Sequence, residues 1–329
     1  MKALLEIRNL TIEFGRGKRA VRPVDDVSLA LHEGETLCLV GESGSGKTLT
    51  ALSIARLVPS PPGRYVGGRI ILDGADTLSM SPAELRRVRG GLVSYVFQEP
   101  GASLNPVIRV GDQIRESLRL HRPSFCTQIE VIRLLRLVGI PAPESRQRDY
   151  PHQMSGGMQQ RVMIAMALAS SPKLLVADEP TTALDVTIQA QILELLSDLR
   201  TRLGMTILLI THNLGIVAGF ADRVAVMYAG QIVETGPATD LLRGPLHPYT
   251  RALINAAPKL GGSARRLAAV AGSVPIPGEF PSGCHFHPRC PQVQPDCSQA
   301  LPELALVGQG RQVRCPYWSA ARTRLPSSP

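Results

Sequence analysis

The hydrophobic residues of this chain fall into short apolar runs and longer amphipathic segments. Apolar runs bounded by polar or turn-forming residues predict buried strands, and apolar residues spaced three and four apart predict helices. The predicted strands are 4–14, 27–31, 36–40, 68–72, 92–97, 173–178, 205–210, 224–228 and 231–234. The predicted helices are 49–57, 110–120, 129–138, 162–169 and 187–203. Strands alternating with helices are typical of an α/β fold.

Two regions depart from this alternation. From about 105 to 170 the pattern is helical and poor in strands, which predicts a helical subdomain. From 256 to 329 there is little periodicity and much proline and glycine, so we expect a separate C-terminal extension after a main domain at 1–255. No run approaches the roughly 18 apolar residues that span a bilayer. The N-terminus has no apolar signal region, and we expect the chain to stay in the cytosol.

A glycine-rich loop separates the predicted strand 36–40 from the predicted helix 49–57. It reads Gly41-Glu42-Ser43-Gly44-Ser45-Gly46-Lys47-Thr48 and matches the pattern G-x-x-x-x-G-K-[ST] throughout. Glycines let successive backbone N–H groups turn inward around a phosphate. Lys47 would reach the β- and γ-phosphates, and the Thr48 hydroxyl would ligate Mg²⁺. Because strand, loop and helix are all present, a plain surface loop is the weaker interpretation, and we predict a nucleoside triphosphate site.

A second anion-binding turn is predicted at Ser155-Gly156-Gly157, ahead of the helix 162–169. Backbone N–H groups at a helix start favour an anion, as they do after the first loop. One polypeptide rarely needs two phosphate sites for one nucleotide. The sequence therefore predicts that two copies meet face to face.

Several polar residues follow predicted strands, where they could surround a bound phosphate. Asp178 could hold Mg²⁺ through water, and Glu179 could act as a general base on water. Gln98 could contact a metal-bound water or a neighbouring subunit, and His212 could contact the γ-phosphate. A surface amide and a structural histidine are the alternatives for these two. Phe14 could stack on an adenine ring or belong to the edge of the core.

Composition and charge decide little. Hydrophobic residues make up 44% and charged residues 19% of the 329 residues, which is ordinary for a globular protein. A formal charge of +9 would permit contact with nucleic acid or an anionic membrane. The arginines are scattered without a long basic block, so solvated basic faces are the better interpretation.

Four of the six cysteines lie in the C-terminal extension, at Cys284, Cys290, Cys297 and Cys315. Their spacing, C-x5-C-x6-C-x17-C, differs from the paired pattern of common zinc ribbons. Stable disulfides are disfavoured in a reducing cytosol. Four thiolates suit a tetrahedral metal ion or an iron–sulfur cluster, and unligated thiols are the third possibility.

In their order along the chain, these motifs resemble the nucleotide-binding subunit of ATP-binding cassette (ABC) transporters over residues 4–255. The signature loop of that family, Leu-Ser-Gly-Gly-Gln, here reads Met154-Ser155-Gly156-Gly157-Met158, with the serine and both glycines kept. Its two departures resemble the oligopeptide/dipeptide importer branch. Further likenesses to that branch lie at 97–100, 103–106 and 247–253.

The resemblance implies a fold and a set of roles. The fold is a P-loop ABC-type nucleotide-binding domain, with a RecA-like α/β core, an antiparallel β subdomain and an α-helical subdomain, plus a small cysteine-containing extension. Gln98 corresponds to the family's Q-loop glutamine near Mg²⁺, and Asp178 to its Mg²⁺-supporting aspartate. Glu179 corresponds to the catalytic base, Asp185 to a residue that crosses the dimer interface, and His212 to the switch histidine. Two such subunits would sandwich two ATP molecules between phosphate loops and signature loops.

The resemblance also implies partners and a location. These are a second ATPase subunit, identical or homologous, two transmembrane permease subunits and, indirectly, an extracytoplasmic peptide-binding protein. The chain would lie on the cytoplasmic face of the membrane, and its ATPase activity would energise import of di- or oligopeptides. Nickel or glutathione import is an alternative, and a soluble ABC ATPase acting on nucleic acid or ribosomes is a weaker one.

The cysteine-containing stretch 283–290 resembles the C-terminal extension of the peptide importers, which holds a [4Fe–4S] cluster in some members. A cluster is accordingly expected at the four cysteines, with zinc as the alternative, and with a structural or redox-sensing role and no part in hydrolysis.

Overall fold

The computed structural model describes residues 2–182, 184–256, 270–308 and 310–319. The strands within these residues are β1 (Ala3–Phe14), β2 (Val21–His32), β3 (Thr36–Val40), β4 (Gly63–Leu72), β5 (Ala75–Asp76), β6 (Val93–Val96), β7 (Leu174–Asp178), β8 (Thr206–Thr211), β9 (Arg223–Tyr228), β10 (Gln231–Pro237), β11 (Ala305–Leu306) and β12 (Gln312–Val313). The helices are α1 (Lys47–Ser53), α2 (Pro82–Val88), α3 (Pro100–Ser103), α4 (Val110–His121), α5 (Gln128–Leu137), α6 (Pro143–Arg146), α7 (Gly156–Leu168), α8 (Val186–Leu203), α9 (Leu214–Val217), α10 (Ala238–Arg243) and α11 (Pro248–Ala256).

The chain divides into two units. The first unit is built mainly on Ser79–Leu209, and the second on Ala3–Leu31, Glu35–Leu78 and the described residues from Ile210 onward. The predicted domain boundary after residue 255 and the predicted limits of the helical subdomain stay predictions.

In the first unit, α4 and α5 pack against each other and against α7. The strands of this unit lie in the order β8-β7-β6, and β6 runs parallel to β7, with Val96 opposite Ala177. Every residue of β7 is buried, as a strand covered on both faces requires. Helix α8 buries Ile192, Leu196 and Leu199, whose spacing of four and three places them on one face.

The second unit contains an antiparallel sheet and a group of strands around β3. The sheet has the order β2-β1-β4-β5, with β1 antiparallel to β4 from Leu5 opposite Leu72 to Phe14 opposite Gly63. The other strands lie in the order β11-β12-β10-β9-β3, and β3 is parallel to β9. The predicted hairpin is confirmed, since β9 and β10 are antiparallel around Ala229 and Gly230, both with positive φ.

Some helices differ from the prediction. Helix α1 ends at Ser53, four residues before the predicted end at 57. Helix α7 begins at Gly156, six residues before the predicted start, because Ser155 caps it and its hydroxyl accepts from the N–H of Met158. Helix α2 was not predicted. The side chain of Ser81 caps α2 and the carboxylate of Glu84 bonds back to the N–H of Ser81, a reciprocal arrangement that stabilises short helices.

The C-terminal extension is integrated into the second unit. Strand β12 pairs with β10, with Val313 opposite Glu234, and Val313 and Phe286 are buried. A buried ion pair joins Arg311 to Glu234 at 2.8 Å. Among the described residues, the helices are too short or too polar to cross a membrane.

Candidate functional site

The glycine loop begins where β3 ends and is packed closely beneath by β9. A Cβ atom on Gly41 would lie 2.1 Å from the carbonyl oxygen of Met227. Gly46 has a φ of 107°, and a Cβ atom there would lie 2.6 Å from the carbonyl oxygen of Pro23. Contacts this short exclude any side chain, so both glycines are required by the packing, and Gly46 also by its positive φ.

Lys47 is buried within the loop. Its Nζ donates to the carbonyl oxygens of Gly41 at 2.9 Å and Glu42 at 3.0 Å. Ser43, Gly44 and Thr48 are exposed. The loop backbone therefore surrounds the ammonium group of Lys47, and the exposed residues Ser43, Gly44 and Thr48 are accessible to an anion.

Neighbouring elements of the second unit hold the backbone of the loop at two further points. The N–H of Glu42 donates to the hydroxyl of Tyr249 at 2.9 Å, and the N–H of Gly230 donates to the carbonyl of Ser45 at 2.9 Å. Burial raises the pKa of the Tyr249 hydroxyl, which stays protonated.

The carboxylate of Glu42 accepts two hydrogen bonds from the guanidinium of Arg289, at 2.9 Å and 3.1 Å. Arg289 belongs to the C-terminal extension. Sequence reasoning placed Glu42 in the phosphate loop but missed Arg289, and nothing local in the sequence points to a pair so far apart.

Phe14 and His212 also belong to the second unit. Phe14 ends β1 opposite Gly63, and its ring is partly exposed, with Cζ 3.1 Å from the position of a Cβ on Gly63. His212 follows β8 and is exposed. Their roles at a nucleotide stay predictions.

In the first unit, three predicted site residues follow two neighbouring parallel strands. Gln98 is exposed beyond the end of β6, and Asp178 is the buried last residue of β7. Glu179 comes next, with a φ of 45°, and its carboxylate accepts from the hydroxyl of Thr182 at 2.9 Å. A positive φ is costly for glutamate, so the surrounding structure holds this residue in a strained backbone conformation.

Ser155, Gly156 and Gly157 lie at the start of α7 and pack against the start of α8. A Cβ atom on Gly157 would lie 2.9 Å from Cγ2 of Ile188, and one on Gly156 would lie 3.4 Å from Cδ2 of Leu184. Asp185 caps α8 by accepting from the N–H of Ile188 at 3.0 Å. The predicted signature loop and the predicted interface residue are therefore neighbours.

Two glutamines fasten these two loops, and sequence reasoning missed both. The amide of Gln159 donates to the carbonyls of Pro151 at 2.8 Å and Met154 at 3.3 Å. The amide of Gln189 donates to the carbonyls of Thr181 at 3.0 Å and Leu184 at 3.1 Å. The shared signal in the sequence is a glutamine four residues after each helix cap.

The four tail cysteines line one cavity of about 20 Å³, together with His247 and Phe286. Burial raises the pKa of the Cys315 thiol to about 12, and negative charge on the other three cysteines adds to this shift. Burial, followed by the charges of neighbouring cysteines, also raises the pKa of Cys284 and Cys290. Within the described residues no group of three or more histidine, cysteine or carboxylate side chains is arranged to hold a metal ion.

The sequence matches two known families. The family described as ABC transporter matches residues 24–182, and that described as the C-terminal region of oligopeptide/dipeptide transporters matches 233–297. The oligopeptide transport ATP-binding protein AppD of Bacillus subtilis is 49% identical over 317 residues, covering 96% of this chain and 97% of that protein. The dipeptide transport ATP-binding protein DppD of Haemophilus influenzae is 47% identical over 315 residues, covering 95% of each.

A solved structure agrees with this assignment. The ATP-binding cassette MJ0796, in a dimeric state bound to ADP and phosphate, matches with a TM-score of 0.61 and 27% identity, over 71% of this chain and 98% of that one. The resemblance and the fold class predicted from the sequence are both confirmed. The chain belongs to the ABC transporter family, as an ATP-binding protein of the oligopeptide/dipeptide branch.

Proposed function

We propose that this chain is the ATP-hydrolysing subunit of an importer that moves di- or oligopeptides through partner permease subunits. The observation that carries the proposal is the intact phosphate loop, with Lys47 held inside it. The peptide substrate is inferred from the relatives, which are named oligopeptide and dipeptide transport proteins.

ATP would bind with its phosphates against the backbone N–H groups of residues 43–48. Lys47 would exchange its backbone carbonyl acceptors for β- and γ-phosphate oxygens, which are stronger acceptors because they are charged. Thr48, Asp178 and Gln98 would hold Mg²⁺, whose charge offsets that of the phosphates when it is bound. Phe14 would stack on the adenine ring.

For hydrolysis, Glu179 would accept a proton from the water that attacks the γ-phosphorus. The bond from phosphorus to the bridging oxygen breaks, and ADP and phosphate result. The hydroxyl of Thr182 fixes the direction of the Glu179 carboxylate, and His212 would contact the γ-phosphate.

A second cassette would complete each site. Ser155, Gly156 and Gly157 would face the γ-phosphate bound by the partner cassette, and Asp185 would contact that cassette across the interface. Two permease subunits would hold the pair at the cytoplasmic face of the membrane, with a peptide-binding protein on the other side.

We propose a [4Fe–4S] cluster at Cys284, Cys290, Cys297 and Cys315, with zinc as the alternative. The observation that supports a shared site is that all four cysteines line one cavity. The donor set of four thiolates fits a cluster, which would add structural and redox chemistry to the extension. The thiols are not arranged as ligands of a metal ion in this structure, and iron, sulfide and zinc analysis of the anaerobically purified protein tests the proposal.

The transport proposal is tested with the assembled complex in vesicles, prepared with the wild-type chain or with Lys47→Ala. We expect wild-type vesicles to take up a labelled dipeptide or oligopeptide only with ATP on the cassette side, and Lys47→Ala vesicles to take up none. ATP-driven uptake of nickel or glutathione with no peptide uptake would move the assignment to that solute. Co-purification with ribosomes or DNA and without a permease would overturn the transporter role.

A further inference from the structure

We propose that Arg289 is a positioning residue for the phosphate-binding loop and acts on it through Glu42. This inference rests on the proposed function, in which that loop binds ATP. The motif itself leaves the identity of residue 42 open, because it is one of the four variable positions in the pattern G-x-x-x-x-G-K-[ST].

The contact between the two side chains is made at two points. One guanidinium nitrogen lies 2.9 Å from Oε2 of Glu42 and the other lies 3.1 Å from Oε1. The side chain of Arg289 is 7% exposed and that of Glu42 is 28% exposed. A bidentate pair fixes the relative orientation of the two groups as well as their distance, and lysine cannot reproduce it.

Arg289 is itself held in place by the C-terminal extension. It donates to the carbonyls of Val270 at 3.2 Å, Ala271 at 2.8 Å and Gly272 at 3.2 Å. Its guanidinium also lies 5.6 Å from the centre of the Tyr228 ring. Because these hydrogen bonds fix the position of the Arg289 guanidinium, its contact with Glu42 restrains the phosphate-binding loop.

Glu42 passes this constraint to the phosphate site. Its N–H donates to Tyr249, its carbonyl accepts from Nζ of Lys47, and its carboxylate is bound by Arg289. A shift of the carboxylate therefore moves the backbone on which Lys47 rests. A loop ordered before the ligand arrives loses less conformational freedom on binding, and so binds more tightly.

The same arginine lies in the turn that carries two of the tail cysteines. The N–H of His287 donates to the carbonyl of Cys284 at 2.9 Å, and the N–H of Cys290 donates to the carbonyl of His287 at 3.2 Å. Arg289 lies inside this turn. The state of the cysteine site is thus mechanically connected to the phosphate loop by one side chain.

The proposal predicts a specific kinetic pattern. The loop would hold the phosphates equally before and during hydrolysis, so its disorder should raise KM and leave kcat unchanged. We expect Arg289→Met to raise the Kd for both ATP and ADP about tenfold, equivalent to about 1.4 kcal/mol. Arg289→Lys, which keeps the charge, should recover part of this loss.

Arg314→Met is the matched control. Arg314 is also next to a tail cysteine, its side chain is 5% exposed, and it forms an ion pair of 3.1 Å with Asp26. Asp26 lies in β2, outside the loop. The control should lower stability without changing the Kd for nucleotide.

The experiment measures Kd for ATP and ADP by calorimetry with the full chain, and KM and kcat with the assembled complex. Because Arg289 acts through Glu42, the double variant Glu42→Gln with Arg289→Met should bind nucleotide no more weakly than the weaker-binding single variant.

A folded Arg289→Met chain with the wild-type Kd, or an Arg314→Met chain with the same rise in Kd, would overturn the inference. If Arg289→Met does not fold, Glu42→Gln decides, and an unchanged Kd for that variant overturns the inference. A wild-type chain that binds no nucleotide would instead refute the proposed function.

Discussion

Gln159 and Gln189 make the same pair of hydrogen bonds at the starts of two successive helices. Each glutamine lies four residues after a helix cap, Ser155 or Asp185. Each donates its amide to the carbonyl just before the cap and to another carbonyl three residues further back. Both loops are therefore fastened to the first turn of the helix that follows them.

Loosening one of these loops should affect turnover and leave nucleotide binding by the single chain intact. Gln189→Ala removes both bonds to the loop that ends at Asp185, the residue that we propose contacts a partner cassette. We expect the ATPase rate of the assembled complex to fall about tenfold, because misplacing a loop by a fraction of an ångström is costly in a composite site. Gln191→Ala, at an exposed position of the same helix, is the control and should keep the wild-type rate. Equal rates for the two variants would refute this role for Gln189.

The bond from Thr182 to Glu179 predicts a graded effect on hydrolysis. Glu179→Gln removes the carboxylate that we propose as the base and should lower the ATPase rate at least about a hundredfold, while the ATP-bound dimer accumulates. Thr182→Val removes only the hydroxyl that orients the carboxylate, so its loss should be smaller, and Thr182→Ser should restore most of the rate. The rate is measured in single turnovers, and the dimer by size-exclusion chromatography with ATP. Parental turnover by Glu179→Gln would contradict the assignment of the base.

Replacing a tail cysteine tests the proposed cluster and its proposed connection to the loop together. Cys284→Ser should abolish bound iron after anaerobic purification and destabilise the extension. ATP should still bind, but more weakly and to an extent similar to Arg289→Lys, because the turn that holds Arg289 loosens. Iron, sulfide and zinc analysis measures the first effect and calorimetry the second. Cys126→Ser, outside the tail, is the control. A colourless wild-type protein that contains zinc would replace the cluster with a zinc site.

His247 predicts how stability depends on pH. Burial lowers the pKa of its imidazole from 6.5 to about 3, and Nδ1 accepts from the N–H of Tyr249 at 3.1 Å. Between these pKa values the unfolded chain binds a proton that the folded chain does not, so stability falls as the pH falls. This residue alone should cost about 1.4 kcal/mol between about pH 7.5 and about pH 5.5.

The His247 prediction is checked by urea unfolding at those two pH values. On acidification, the free energy of unfolding of His247→Gln should fall by about 1.4 kcal/mol less than that of the wild-type chain. His152→Gln, at an exposed position, should behave like the wild-type chain. Carbon-bound proton signals of the imidazole in NMR spectra should show His247 neutral at the lower pH. A protonated ring in the folded protein there would contradict the prediction.

The phosphate loop could be predicted from the sequence because its requirements are local. The spacing of its glycines, lysine and threonine lies within eight residues, Gly46 is needed for a positive φ, and the strand and helix beside the loop follow from apolar runs. The start of α7 could not be placed in this way. The sequence predicts a turn at Gly156 and Gly157, but both residues are helical. Glycine is needed at 157 because the side chain of Ile188 lies too close for a Cβ atom.

The tail illustrates the limit of such reasoning. The number of cysteines predicted that they share one site, and all four do line one cavity. The pairing of β12 with β10 could not be predicted. The contact of Arg289 with Glu42 could not be predicted either, because these two residues are 247 positions apart. Contacts at that separation depend on the complete fold, and a single short stretch of sequence carries no trace of them.

The turn between β9 and β10 limits how this protein can be altered. Gly230 donates to the phosphate loop at Ser45 and accepts from the N–H of Asp25, and the carbonyl of Ala229 contacts Nδ1 of His285 at 2.8 Å. Ala229 and Gly230 together thus contact the phosphate loop, the antiparallel sheet and the cysteine-containing tail. A turn with so many neighbours has no room for an added residue, although hairpin tips usually tolerate insertions. A reporter peptide or affinity tag inserted there would disturb three parts of the protein at once.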